Sequence, residues 1–140
     1  MNEDTNFIIS SFLVLQTTLT DEVGGAASPK IYCPRIPENT KLPALGFFTR
    51  GGRSTPYIPG IVTPSVQFDC WGTSPKAARQ VYRALYDVLQ GIQNQSVTVG
   101  GSDYKILSAI EEVQGQDLQD VDIPAYYRVL TSFSIMIRAE

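Results

Sequence analysis

The stretch from Ile61 to Gly91 limits what this chain can fold into more than any other segment. It opens with an extended run, Ile61-Val-Thr-Pro-Ser-Val-Gln-Phe-Asp-Cys-Trp71, in which Val66, Phe68 and Cys70 share one side and Gln67 and Asp69 the other. Alternation with period two marks a half-buried strand. After a tight break, Thr73 or Ser74 can cap a helix over residues 75–90. Pro75 occupies its first turn, where a missing N–H costs nothing, and Gly91 supplies a left-handed stop. At 100° per residue, Ala77, Ala78, Val81, Leu85, Val88, Leu89 and Ile92 fill one side, and Lys76, Arg79, Gln80, Arg83, Asp87 and Gln90 a narrow stripe opposite. A helix so largely apolar lies on a sheet and is covered on most sides.

The flanking sequence supplies the rest of that sheet. Asp4 or Thr5 can cap a first helix reaching about Leu19, with Ile8, Phe12, Leu15 and Leu19 at helical spacing. A loop over 21–30 and a short strand through Ile31-Tyr32-Cys33 follow, then a segment held irregular by Pro34, Pro37 and Pro43. Leu45–Thr49 reads as a strand, and residues 50–60 as a long glycine- and proline-bearing loop. Beyond the 75–90 helix, Ser96–Val99 and Tyr104–Leu107 flank a Gly100-Gly101 turn, the second strand running on towards Val113. Residues 114–122 read as an acidic loop. Residues 126–138 read as a long strand with Tyr127, Val129, Phe133, Ile135 and Ile137 on its apolar side. The order helix, three strands, helix, three strands predicts one α+β domain over residues 1–140: a single mostly antiparallel sheet with two helices packed on one face.

Composition narrows the chemistry. The chain has 140 residues, 43% apolar and 18% charged, with a net charge of −3, which argues against a general nucleic-acid binder. It contains no histidine, so the commonest general base and metal ligand are missing. Cys33 and Cys70 lack C-x-x-C spacing and read as two buried reduced thiols, a disulfide requiring Cα atoms within about 7 Å. The acidic start and the interrupted apolar stretch Phe7–Leu15 predict neither a secretory leader nor a membrane span, hence a soluble protein made in a cytoplasm.

No catalytic constellation emerges, and no cofactor or metal is predicted. Glu111 and Glu112 point to opposite faces of any strand and cannot share a reaction centre. Asp117, Asp120 and Asp122 resemble a calcium loop in spacing, yet lack its glycine and terminal glutamate, so a solvated acidic loop is the better reading. Gly51-Gly52 and Gly100-Gly101 are turn glycines without phosphate-loop context. The 50–60 loop differs from an ordinary tip, because Arg50, Arg53, Tyr57 and Ile58 combine residue types enriched at protein interfaces.

Tyr32-Cys-Pro-Arg-Ile-Pro37, the strand at Leu45–Thr49, Val66–Trp71, the Thr73-Ser-Pro75 turn and the helix with Ala78, Leu85, Leu89 and Gly91 follow one another in an order and spacing that resembles the tail completion (tail terminator) proteins of long-tailed bacteriophages. The closing Tyr127-Arg128 strand is similar too, while Pro64 and the long loop before it depart from the pattern. The resemblance implies an α+β subunit of a ring, commonly hexameric, that caps the tail tube, ends its polymerisation and offers a surface for joining the head. It implies no enzymatic activity, no cofactor and no membrane or specific nucleic-acid partner. The expected partners are copies of itself, the tail tube protein and a head-completion or neck protein, in the tail–neck region of a virion assembled in the host cytoplasm. Arg50 and Arg53 would face Asp117, Asp120 and Asp122 of a neighbour, with Tyr57 and Ile58 supplying apolar packing at the same contact. Rival readings are another head–tail connector, a scaffold or regulatory module, or a small-molecule-binding or enzymatic domain using carboxylates with Lys105 or Tyr104 around a concave pocket.

Overall fold

The computed structural model of the chain describes residues 4–25, 27, 29–37, 41–54, 60–119 and 126–139, with backbone alone at 53, 54 and 119. Its elements are α1 (Thr5–Leu13), α2 (Thr17–Thr20), β1 (Ile31–Tyr32), β2 (Ala44–Ser54), β3 (Ile61–Gly72), α3 (Pro75–Leu89), β4 (Gln93–Val99), β5 (Ser102–Gln119) and β6 (Tyr127–Ala139). These build an α+β fold around one six-stranded sheet in the order β1-β2-β3-β6-β5-β4. The sheet is mixed rather than purely antiparallel: β1 runs parallel to β2, and every other neighbouring pair is antiparallel.

Register explains which side chains are buried. Phe47, Phe68 and Thr131 lie opposite one another across β2, β3 and β6, as do Leu45, Cys70 and Val129, and Thr49, Val66 and Phe133. The residues at these positions point to one face, continued by Ile135 and Ile137 of β6 and by Tyr104, Ile106 and Ala109 of β5. Apart from Thr49 these side chains are buried, and the Phe68 ring packs on Phe47 at 5.7 Å and edge-on against Phe133 at 5.8 Å. This is the core face. Helix α3 lies on it, burying Ala78, Val81, Tyr82, Leu85, Val88 and Leu89. Its start is fixed as the sequence predicts: Pro75 occupies the first turn, and the Ala77 N–H donates to Ser74 Oγ at 3.1 Å.

Several boundaries shift from the sequence expectation. The first helix stops at Leu13, because Gln16 is extended and the threonines at 17, 18 and 20 sustain only the short α2. Asp4 stands at the N-cap of α1 without a side-chain capping bond. Strand β2 runs on to Ser54, so half of the expected 50–60 loop is ladder. Gly51 and Gly52, at φ 108° and 133°, create a register shift in β2 where Pro64 would interrupt regular pairing. Strand β5 carries three register shifts, the last just past Val113, and extends to Gln119, so most of the expected acidic loop is strand as well. Cys70 is buried, but Cys33 is exposed, against the expectation of two buried thiols; both are free.

A flat sheet would hold β2 and β4 about 19 Å apart. Helix α1 nevertheless packs near β4 while the Thr49 hydroxyl of β2 bonds Asn6 Oδ1 at 2.6 Å, so the sheet curls around the core. Ile8, Ile9, Phe12 and Leu13 of α1 join the same buried cluster as α3 and the core face.

Candidate functional site

The interface residues expected from sequence are dispersed. Arg50 is an exposed residue of β2 whose Nη1 reaches Gln67 Oε1 at 3.5 Å. Arg53 lies on the same strand opposite Thr63. Tyr57, Ile58, Asp120 and Asp122 lie outside the described residues. Asp117 belongs to strand β5 instead of a loop, and it accepts a 2.8 Å bond from Arg79 Nε of its own chain. Both side chains are largely exposed, so this ion pair contributes at most about 1 kcal/mol. The strand ends flanking 55–59 sit beside Arg138 of β6, those flanking 120–126 beside Tyr127. From Tyr127 to Arg138 is about 36 Å of extended strand. The arginine-bearing and acidic segments therefore emerge at opposite ends of the sheet.

A second constellation was not visible as such in the sequence. The Tyr82 hydroxyl of α3 donates to Glu111 Oε2 at 2.7 Å and accepts from the Gly115 N–H at 3.2 Å. Thr131 Oγ1 lies 2.9 Å from the same carboxylate oxygen and 2.8 Å from the Val113 carbonyl. Arg79 closes the group, its guanidinium 5.3 Å above the Tyr82 ring and within 3.2 Å of the Gly115 carbonyl. Burial first, then the bond to Glu111, raises the Tyr82 phenol above its ordinary pKa. The group ties α3 to the shifted part of β5, where Gly115 is required because a Cβ there would meet Tyr82 Cζ at 2.8 Å. Strand alternation had placed Glu111 and Glu112 on opposite faces, and they are: Glu112 accepts from Ser65 Oγ at 2.7 Å on the other side. What alternation could not supply was the partner on α3.

The outer face, opposite the core face, carries Arg50, Gln67, Asp69, Trp71, Lys105, Ile110, Glu112, Val113, Arg128, Leu130, Ser132, Ser134 and Arg138 by register. Its β2 side is covered near Gly46 by residues 35–36. Arg128 stacks over Trp71 at 5.3 Å and stands 3.8 Å from Asp69, and Tyr126 meets Trp71 edge-on. Asp69 is buried with Oδ1 lacking a hydrogen-bond partner. Desolvation raises its carboxyl pKa, opposed by Arg128 and Gln67. A raised folded-state pKa favours the protonated form, so stability rises as pH falls through that pKa and stops rising once the unfolded chain protonates too. Asp69→Asn should accordingly melt above the wild type at pH 7, the difference closing as pH falls towards the ordinary Asp pKa of about 3.9. Thermal melts across that range check this; a difference that does not shrink contradicts it.

Among the described residues no group of three or more Cys, Asp or Glu side chains is placed to hold a metal ion. Two open grooves of about 350 and 330 Å³ border α3. Lys76, Arg83, Glu22 and Asp87 line the first, and Leu118, Tyr127 and Arg128 the second. Of the two residues suggested as alternatives for a small-molecule site, Tyr104 is buried in the core and Lys105 falls on the outer face. No helix among the described residues is long and apolar enough to cross a membrane.

No protein-family model and no curated protein sequence matches the chain. Among solved structures, a chain described as "Virion of native gene transfer agent (GTA) particle" superposes with a TM-score of 0.64. The match covers 96% of this chain and 94% of that one at 11% sequence identity, a likeness of fold.

Proposed function

We propose that this chain is a virion structural protein of the tail-completion kind, acting by shape and self-association and without a catalytic step. The observation that carries the reading is the end-to-end fold likeness to a chain of a gene transfer agent virion. The sequence resemblance to tail completion proteins supports it independently. On this reading copies form a ring, hexameric as in the family, which caps the tail tube, ends its growth and presents its other side to a head-completion or neck protein. Helix α3, packed on one face of the sheet, would leave the other face for such contacts.

Contacts in a closed ring are heterologous: one patch meets a different patch on the next subunit. The arginine-bearing segment (Arg50, Arg53, Tyr57, Ile58) and the acidic one (Asp117, Asp120, Asp122) suit this, because their flanking strands end on opposite sides of the sheet. Arg53→Glu is expected to shift the protein towards smaller species, most clearly at low salt, where exposed charges are least screened. Mass determination in solution with negative-stain imaging tests the whole reading: annular particles support it, and an oligomer mass unchanged in Arg53→Glu at low and high salt removes the charge pairing.

A further inference from the structure

The exposed large apolar side chains of the described residues fall into two groups. Phe7 (63% exposed), Val14 and Leu15 (68%) form one, on and just after α1. Phe7 lies on α1, while Val14 and Leu15 follow its last residue, Leu13, in the turn before α2; all three are exposed, unlike the buried Ile8, Ile9, Phe12 and Leu13. Ile110 (59%) and Val113 form the other, on the outer face of β5, beside the half-buried Leu130. Apolar surface at a helix end and on a sheet face is normally buried against a further layer. Among the described residues no such layer covers either group, and both stay exposed.

Their charges are opposite. Residues 1–29 contain four acids and no lysine or arginine, Asp4, Asp21 and Glu22 among them. The outer face carries Arg50, Lys105, Arg128 and Arg138 with three acids, the exposed Asp103 and Glu112 and the buried Asp69, a small positive excess. The first group belongs to α1 and the turn after it, which pack with the core, and the patch to the side of the sheet facing away from the core, so one chain cannot bring its own pair together. A second copy can, and it then leaves a first group free at one end and a patch at the other.

From this we infer that the outer face of β5 and β6 is the seat for α1 and the following turn of a neighbouring copy, with Phe7 and Leu15 set against Ile110 and Val113. The inference rests on the self-assembling reading above and names a contact of it. Leu15→Glu and Ile110→Lys each weaken self-association about tenfold or more, as loss of a central apolar contact does. Mixed in equal amounts the two variants recover part of it, because the new charges oppose.

Cross-linking fixes the geometry. In a Cys33→Ser background, Leu15→Cys and Ile110→Cys are prepared separately, checked by circular dichroism, and oxidised alone and mixed. A disulfide-linked dimer that forms chiefly in the mixture is the expected result. An oligomeric protein without that cross-link overturns this contact and leaves the ring reading standing. Dimers from Leu15→Cys alone point to a symmetric helix pair and overturn it equally. A wild-type chain that stays monomeric at high concentration overturns both readings.

Discussion

Gly72→Ala is expected to destabilise the domain by about 3 kcal/mol or more, lowering the melting temperature by roughly 6–12 °C. Gly72 ends β3 on the core face, three residues before α3 begins. A Cβ at this position would fall on the Ala78 backbone nitrogen, within 2.8 Å of the Ala77 carbonyl carbon and 2.9 Å of Ala77 Cβ. None of these atoms is the far end of a flexible side chain, so the first turn of α3 would have to move. That turn is held by the Ser74 cap, and the helix buries seven side chains behind it. Displacing it would disturb the joint between β3 and α3 on which the core depends. Glycine is needed here for close approach, because its φ is not among the positive values. Thermal melts with calorimetry test the point, and a midpoint within 2 °C of the wild type would show that α3 does not pack this closely on β3.

How much of this was readable in the sequence follows from the range of the interactions. The β3–α3 unit was legible because period-two and period-3.6 patterns, a cap, a proline and a glycine all lie within some thirty residues and agree. Boundaries that depend on partners were not. Strand β5 reads as ending near Val113, where polar and acidic residues begin, yet it continues because β6 offers a ladder as far as Tyr127. Glycines at 51 and 52 read as loop, but β3 pairs with the residues beyond them. The parallel β1–β2 pair depends on how the chain returns after Pro37, which local pattern does not encode.

The candidate contact surfaces divide the same way. Composition singled out Arg50 and Arg53, while the alternation of β5 separated Glu111 from Glu112. The pairing of Asp117 with Arg79, 38 residues away in sequence, needed the fold. So did the outer patch, since Ile110 and Val113 look like ordinary core residues until register turns them outward. Exposure of Leu15 was hidden by its place in the helical spacing of Ile8, Phe12 and Leu19, and that of Phe7 by the apolar run around it.

Phe68→Ala is expected to cost about 3–5 kcal/mol, which is a large share of the stability of a domain this size. Phe68 is the central residue of the central strand pair, fully buried, with Phe47 beside it on β2 and Phe133 edge-on from β6. Truncation removes the ring from both contacts and leaves a void bounded by sheet backbone, which cannot close without bending three strands. Phe68→Leu, keeping most of the volume, should lose well under half as much. Ser134→Ala, on the outer face of β6, should change stability by no more than about 0.5 kcal/mol. Denaturant titration of the three variants against wild type measures these differences directly, provided the slopes stay equal. The ordering matters more than any one value: comparable losses for Phe68→Ala and Ser134→Ala would mean that the two faces are not core and outer face, and the docking surface argued from that distinction would fall with it.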